Sequence, residues 1–149
     1  MPSNPTVLVT GGAGYIGSHT ILQLTARGER VVVLDDLSTG FRQAVRDAPL
    51  VVGNVGDRAL VDSLLAEHRV DTIIHFAAHT IVPESVANPL KYYGNNTCAT
   101  RSLLEAASQA GVRNVVFSST AAVDEKTKLR TPACDAASRS ERVAQVLLP

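Results

Sequence analysis

Four glycines, Gly11, Gly12, Gly14 and Gly17, follow the aliphatic run Val7-Leu8-Val9-Thr10 and lead into a helical pattern that begins at Ser18. Bare backbone at the mouth of a strand suits an anionic ligand, because it permits close approach and offers free N–H groups at the positive end of a helix. Gly12-x-Gly14-x-x-Gly17 has the spacing of a dinucleotide fingerprint, and Gly11-x-x-Gly14-x-x-Gly17 fits a variant of it. In such a pattern the early glycines allow a turn with positive φ. Gly14 lets a pyrophosphate reach the backbone, and Gly17 lets helix and strand pack closely.

A second strand answers the first. Val33-Leu34-Asp35-Asp36 ends in two carboxylates, and Asp35 stands 18 residues beyond Gly17, close to the ~20 expected for a carboxylate on the adenosine ribose. A carboxylate there disfavours a 2′-phosphate, so the pattern predicts NAD rather than NADP. The third apolar run ends at Gly53-Asn54-Val55. Asn54 can bond an adenine nitrogen and Val55 can cover the ring, or Asn54 is simply a turn residue. Of the four histidines, His79 lies where it could face a cleft or sit on an ordinary surface. His75 reads as core, and His19 and His68 as helix residues.

These residues need a scaffold that brings strand ends together. Short apolar runs at Thr6–Thr10, Arg30–Leu34, Leu50–Val52, Thr72–Phe76 and Asn114–Ser118 alternate with helical patterns at Ser18–Arg27, Arg58–His68 and about Glu84–Ala110. The last has a potential break at Pro89 and a natural C-cap at Gly111. The runs show little polar alternation, as expected of strands buried on both faces. The pattern predicts an α/β fold: a doubly wound parallel sheet of about five strands in order 3-2-1-4-5, in a three-layer sandwich. Its ligand crevice should lie at the carboxyl ends of strands 1 and 4.

Bulk properties agree with one such domain over residues 1–149. The chain is 45% hydrophobic and 19% charged, with 14 basic and 14 acidic residues. That balance provides no footprint for nucleic acid or an anionic membrane surface. Cys98 and Cys134 are far apart and form no metal-ligand or disulfide pattern. Without a signal-like or spanning segment, the expectation is a cytoplasmic protein with no metal.

Five segments, VTGGAGYIGSH, VVLDDLSTG, IIHFAA, PESVANPLKYYGNN and VVFSSTAAV, occur in order over residues 5–123. Together they resemble the extended short-chain dehydrogenase/reductase superfamily, with its Rossmann-type domain, and within it the UDP-glucose (UDP-galactose) 4-epimerase family. The resemblance implies an isomerase with a tightly held NAD that removes hydride from C4 of a nucleotide-sugar and returns it to the other face. By position, Gly11, Gly14, Tyr15, Ile16 and Gly17 would hold the pyrophosphate, with Asp35 and Asp36 at the ribose. Phe76, Ala77 and Ala78 would pass beside the nicotinamide half, Asn96 would support that region, and Ser118 and Ser119 would close over it. Thr120 falls where the family has a hydroxyl that bonds the reacting sugar oxygen. Many epimerases carry a lysine where Thr80 stands.

Beyond residue 123 the likeness fails. The family continues to a YxxxK helix whose tyrosine is the acid/base, whereas here Tyr15, Tyr92 and Tyr93 are the only tyrosines. A loose alignment puts Ala137 and Glu141 at the tyrosine and lysine positions. Residues 124–149 therefore read as a divergent tail with a terminal helix, and the chain as truncated, lacking the C-terminal substrate domain. The leading expectation is an NAD-binding domain with little or no catalysis and a doubtful UDP-sugar site. One alternative is an active epimerase using Thr120 with an unusual base or a partner chain. Another is a non-catalytic homodimer through helices 84–110 and 137–148, with a vestigial cofactor site. Leu103, Leu104 and Ala107 on the first helix either meet a second copy or pack on the sheet. Strand 5 would be left as an exposed edge.

Overall fold

The structure is a computed structural model that describes residues 5–118 and 144–147. Five parallel strands, β1 (Thr6–Thr10), β2 (Arg30–Asp35), β3 (Leu50–Val52), β4 (Val70–His75) and β5 (Asn114–Phe117), lie in the order β3-β2-β1-β4-β5. Thr10 stands between Leu34 and His75 in register, so β1, β2 and β4 end level.

Why these runs become central strands is visible in their burial. Every residue of β1 is buried, and β2 is buried from Val31 onward. The pleat sends Leu8, Val32, Leu34, Ile73 and Val115 to one face and Val7, Val9, Val31 and Val33 to the other. The first face is covered by α2 (Arg58–His68) and α5 (Ala99–Gln109). The second is covered by α1 (Tyr15–Ala26) and a 3₁₀ turn at Arg42–Val45, whose Val45 is buried. Each fully buried aliphatic side chain contributes about 1.5–3 kcal/mol through its removal from water.

Helix ends are set by local chemistry. α1 and α5 both stop at glycines in the left-handed region, Gly28 and Gly111. In each case the glycine N–H and the next N–H bond back to carbonyls of the last turn, as in Gly111 to Ser108 and Val112 to Ala107. The Asp57 carboxylate caps α2 by accepting from Leu60 N–H at 3.1 Å.

The stretch expected as one helix over 84–110 is divided. α3 (Val82–Ala87) ends at Asn88, and α4 (Pro89–Tyr92) begins at the proline. A π-helical turn (Tyr93–Cys98) then leads into α5. Pro89 holds the preceding residue away from helical angles, and the freed Asn88 side chain caps α4. Leu103 and Ala107 belong to the core, with Leu104 packed against it. The stripe on this helix therefore faces the sheet rather than a second copy.

The expected terminal helix over 137–148 is corrected in part: residues 144–147 form a sixth strand, β6 (Ala144–Leu147), antiparallel to β5. An unpaired edge offers a row of backbone donors and acceptors, and β6 meets them. The edge of β5, expected to be exposed, is paired instead.

Candidate functional site

At the carboxyl ends of β1, β2, β3 and β4 the chain opens into a cleft of about 660 Å³. Every cofactor-contact residue expected from the sequence that is among the described residues lines it; Ser119 and Thr120 lie outside the described residues.

The glycines divide by what they do. Gly11 has φ +70°, and a Cβ there would come within 2.6 Å of Ala77 N. This presses the exit of β1 against the exit of β4, and Gly11 N–H also donates to Leu34 O at 2.9 Å. At Gly12 a Cβ would stand 2.6 Å from Val33 Cγ1, so its absence lets the turn lie on β2. At Gly17 it would collide with Gly11 O and stand 2.6 Å from Gly12 Cα. Gly14 is different. Its φ of −77° and ψ of 174° suit any residue, and the nearest atom to an added Cβ is Gly11 O at 3.4 Å. Nothing among the described residues requires a glycine at this position; a ligand lying against the backbone would. Gly14 is also the N-cap of α1, with no side-chain cap and no acidic residue in the first turn. Ser18 N–H is the first to bond back, to Gly14 O. The N–H groups of Tyr15, Ile16 and Gly17 thus precede the helix's own hydrogen bonds and point with its dipole. The residues present fit a pyrophosphate.

The carboxylates stand beside this turn. Asp35 is buried, and its two oxygens accept from Ala13 N–H and Leu37 N–H, each at 2.8 Å. One acceptor position per oxygen remains for a ligand hydroxyl. Asp36 accepts from Ser38 N–H at 2.9 Å. Burial pushes its carboxyl up, but the Ser38 side-chain and backbone hydrogen bonds, the His79 charge and the Asn54 side chain together hold it below the ordinary range. Asn54 accepts from Gly56 N–H at 2.8 Å, and Val55 reaches the cleft wall while its side chain sits in the core.

Opposite, Phe76, Ala77 and Ala78 leave β4 along the cleft. Asn96, from the π-helical turn, grips the next residue at both ends: its Oδ1 accepts from His79 N–H and its Nδ2 donates to His79 O, each at 2.8 Å. The Tyr92 hydroxyl receives Ile81 N–H at 3.1 Å and lies within bonding distance of Ile81 O and Glu84 Oε2. Desolvation, then the Glu84 hydrogen bond and charge, raise this phenol above its usual range. The Glu84 carboxylate is held low by hydrogen bonds from Lys91 and Tyr92. His75 is core, as the sequence implied. Its ring lies between Thr10 Oγ1 at 2.6 Å and Thr100 Oγ1 at 2.9 Å, and burial pushes it down to about 4.

Sequence reasoning missed the loop Ser38-Thr39-Gly40, Tyr92 and Asn95, which also line the cleft. The signal for the loop was Gly40: a Cβ there would approach Ala13 Cβ to 2.7 Å, and Phe41 N–H donates to Ala13 O, so the loop docks on the glycine turn. Among the described residues no group of acidic, histidine and cysteine side chains could hold a metal, and no helix is long and apolar enough to cross a membrane.

Fold and site together define a doubly wound domain of the dinucleotide-binding class. The family described as the NAD dependent epimerase/dehydratase family matches residues 7–141, and the chain belongs to it. It is 54% identical over 122 residues to the UDP-glucose 4-epimerase of Azospirillum brasilense, covering 81% of this chain and 35% of that one. With the Klebsiella pneumoniae UDP-glucose 4-epimerase the identity is 44%, over 78% of this chain and 90% of that one. Among solved structures it resembles the Brucella ovis UDP-glucose 4-epimerase in complex with NAD, with a TM-score of 0.77 and 43% identity, over 83% of this chain and 39% of that one. The chain spans about a third of the length of most of the curated relatives it matches.

Proposed function

We propose that this chain is the cofactor-binding part of a cytoplasmic UDP-glucose 4-epimerase-like protein, that it holds NAD in the cleft, and that alone it has little or no epimerase activity. The observation that carries the binding is Gly14, a glycine that the fold does not need, at the uncapped start of α1. The pyrophosphate would rest there, against Gly11, Tyr15, Ile16 and Gly17. Asp35 and Asp36 would take the adenosine ribose, with Asn54 and Val55 at the adenine. The nicotinamide half would run beside Phe76, Ala77 and Ala78, with Asn96 behind them and Ser118 at the far wall. Bound NAD supplies a hydride acceptor; these residues supply binding and orientation.

What the chain does not supply is a phenolate base. Of its tyrosines, Tyr15 and Tyr92 line the cleft; Tyr15 stands at the start of α1, where the pyrophosphate would lie, and the Tyr92 phenol is engaged by Ile81 and Glu84 and shifted away from ionisation. Loss of such a base costs roughly two to four orders of magnitude in rate. A homodimer of this chain would rest on the exposed Val86, Leu90 and Tyr93.

Calorimetric titration with NAD⁺, and NADP⁺ as control, tests the binding. Micromolar affinity with preference for NAD⁺ supports it, and no heat from a folded chain removes it. Turnover of UDP-galactose by the isolated chain would remove the claim of inactivity.

A further inference from the structure

We infer that His79 is the cationic side chain of the cleft, and that its protonation tightens the hold on an anionic diphosphate ligand. The inference rests on the cofactor reading above and deepens it. Among the described residues lining the cleft there is no lysine and no arginine, while Asp35 and Asp36 both contribute carboxylates. A diphosphate brings two further negative charges into that space. Backbone N–H groups at α1 answer part of this charge, and His79 is the one described lining side chain that can answer it with a full positive charge.

The side chain is held for that task. Asn96 fixes the His79 backbone through both its N–H and its C=O. The imidazole faces the Tyr92 ring at 5.6 Å, and Tyr92 is itself pinned to Ile81 and Glu84. The charged groups around it come from three elements: Asp36 from the loop after β2, Glu84 from α3, and Lys91 beside Tyr92 on α4. The His79 charge is close enough to lower both Asp36 and Glu84, as a lesser contribution behind the Ser38 hydrogen bonds to the first and the Lys91 and Tyr92 hydrogen bonds to the second. Imidazoles as a class change charge between about pH 5 and 8. A diphosphate keeps its charge across that range. Binding and protonation of His79 are therefore linked, each favouring the other.

The test uses the full chain and ADP-ribose, which carries the diphosphate without the nicotinamide cation. Its Kd is measured at pH 6 and pH 8, with NAD⁺ at pH 8 alongside. The wild type should bind ADP-ribose about three- to fivefold more tightly at pH 6. It should also take up protons on binding near neutrality, read by calorimetry in two buffers of different ionisation enthalpy. His79→Asn should bind with the pH 8 affinity at both values and show no uptake. His79→Lys should bind tightly at both. His19→Asn, on α1 and outside the cleft, should keep the wild-type slope. Equal wild-type affinity at both pH values, or a slope that survives in His79→Asn, overturns the inference while leaving the cofactor reading intact. No binding of NAD⁺ or ADP-ribose at any pH removes both.

Discussion

Replacing Gly14 by alanine separates a glycine kept for a ligand from one kept for the fold. The backbone at Gly14 is extended, so alanine fits without a dihedral penalty, and its methyl meets Gly11 O at an ordinary 3.4 Å. Two small terms act on stability. Alanine stiffens the unfolded chain, worth about 0.4–1 kcal/mol in its favour. It is also a poorer N-cap than glycine, by roughly 0.5–1 kcal/mol. They nearly cancel, so Tm should move by no more than about 2 °C. Binding is another matter. The methyl occupies the surface over which a pyrophosphate would lie, so at least one charge-assisted backbone hydrogen bond is lost, about 1.5–3 kcal/mol. That is a roughly 10- to 150-fold rise in Kd for NAD⁺. Thermal unfolding and calorimetry on the same preparation read both quantities. If Gly14→Ala binds within threefold of wild type, the pyrophosphate does not pass over this residue. If it instead loses more than about 6 °C in Tm, Gly14 is a structural glycine and the division drawn between the glycines is wrong.

Gly17→Ala should do the opposite, destabilising by about 2–3 kcal/mol in urea unfolding, because its methyl has to displace backbone at Gly11 and Gly12. Asp35→Ala should cost about 1–3 kcal/mol in the absence of any ligand, since Ala13 N–H and Leu37 N–H lose their acceptor. His75 should make the fold acid-sensitive. Its folded value is about 4, whereas the unfolded ring takes its proton near 6.5, so the unfolded chain binds more protons in between. Stability is complete above about pH 6.5 and falls by up to roughly 3 kcal/mol as pH drops through 4. Urea titrations across that window should show the slope, and His75→Gln should lose it. Leu90→Glu should reduce the sedimentation mass of any dimer to that of one chain, and a wild type monomeric at high concentration removes the dimer.

Local chemistry made much of this fold legible. Thr6–Thr10 and Leu50–Val52 are strands over the residues that their β-branched and aliphatic composition marks, and Gly111 caps α5 as its position implies. α1 begins at Tyr15 rather than Ser18 because Gly14 starts the helix without the side-chain oxygen that usually signals a cap. The division of the long helical stretch was half visible: Pro89 marks a break, but no periodicity marks a π-helical turn. Leu37, Arg46 and Arg69 adopt positive φ without being glycine, so their turns carry no glycine signal. In the site, the glycines and Asp35 could be read from spacing along the chain. The Asn96–His79 clamp and the Tyr92–Ile81 bond join residues 17 and 11 positions apart, and such pairings exist only after the chain has folded.

The π-helical turn at Tyr93–Cys98 holds one residue more than an α-helix would in the same rise. Each helical residue turns the next by about 100°. Removing a single residue from this turn would let α4 run straight into α5 and swing Asn96 by about that angle, out of reach of the His79 backbone. The cleft wall beyond β4 would then lose the amide that joins it to the helical layer, although no cleft residue had been changed. A length difference here between otherwise similar chains is therefore a change in how firmly the cleft is braced, and loop-length engineering at this point would act on the site from behind.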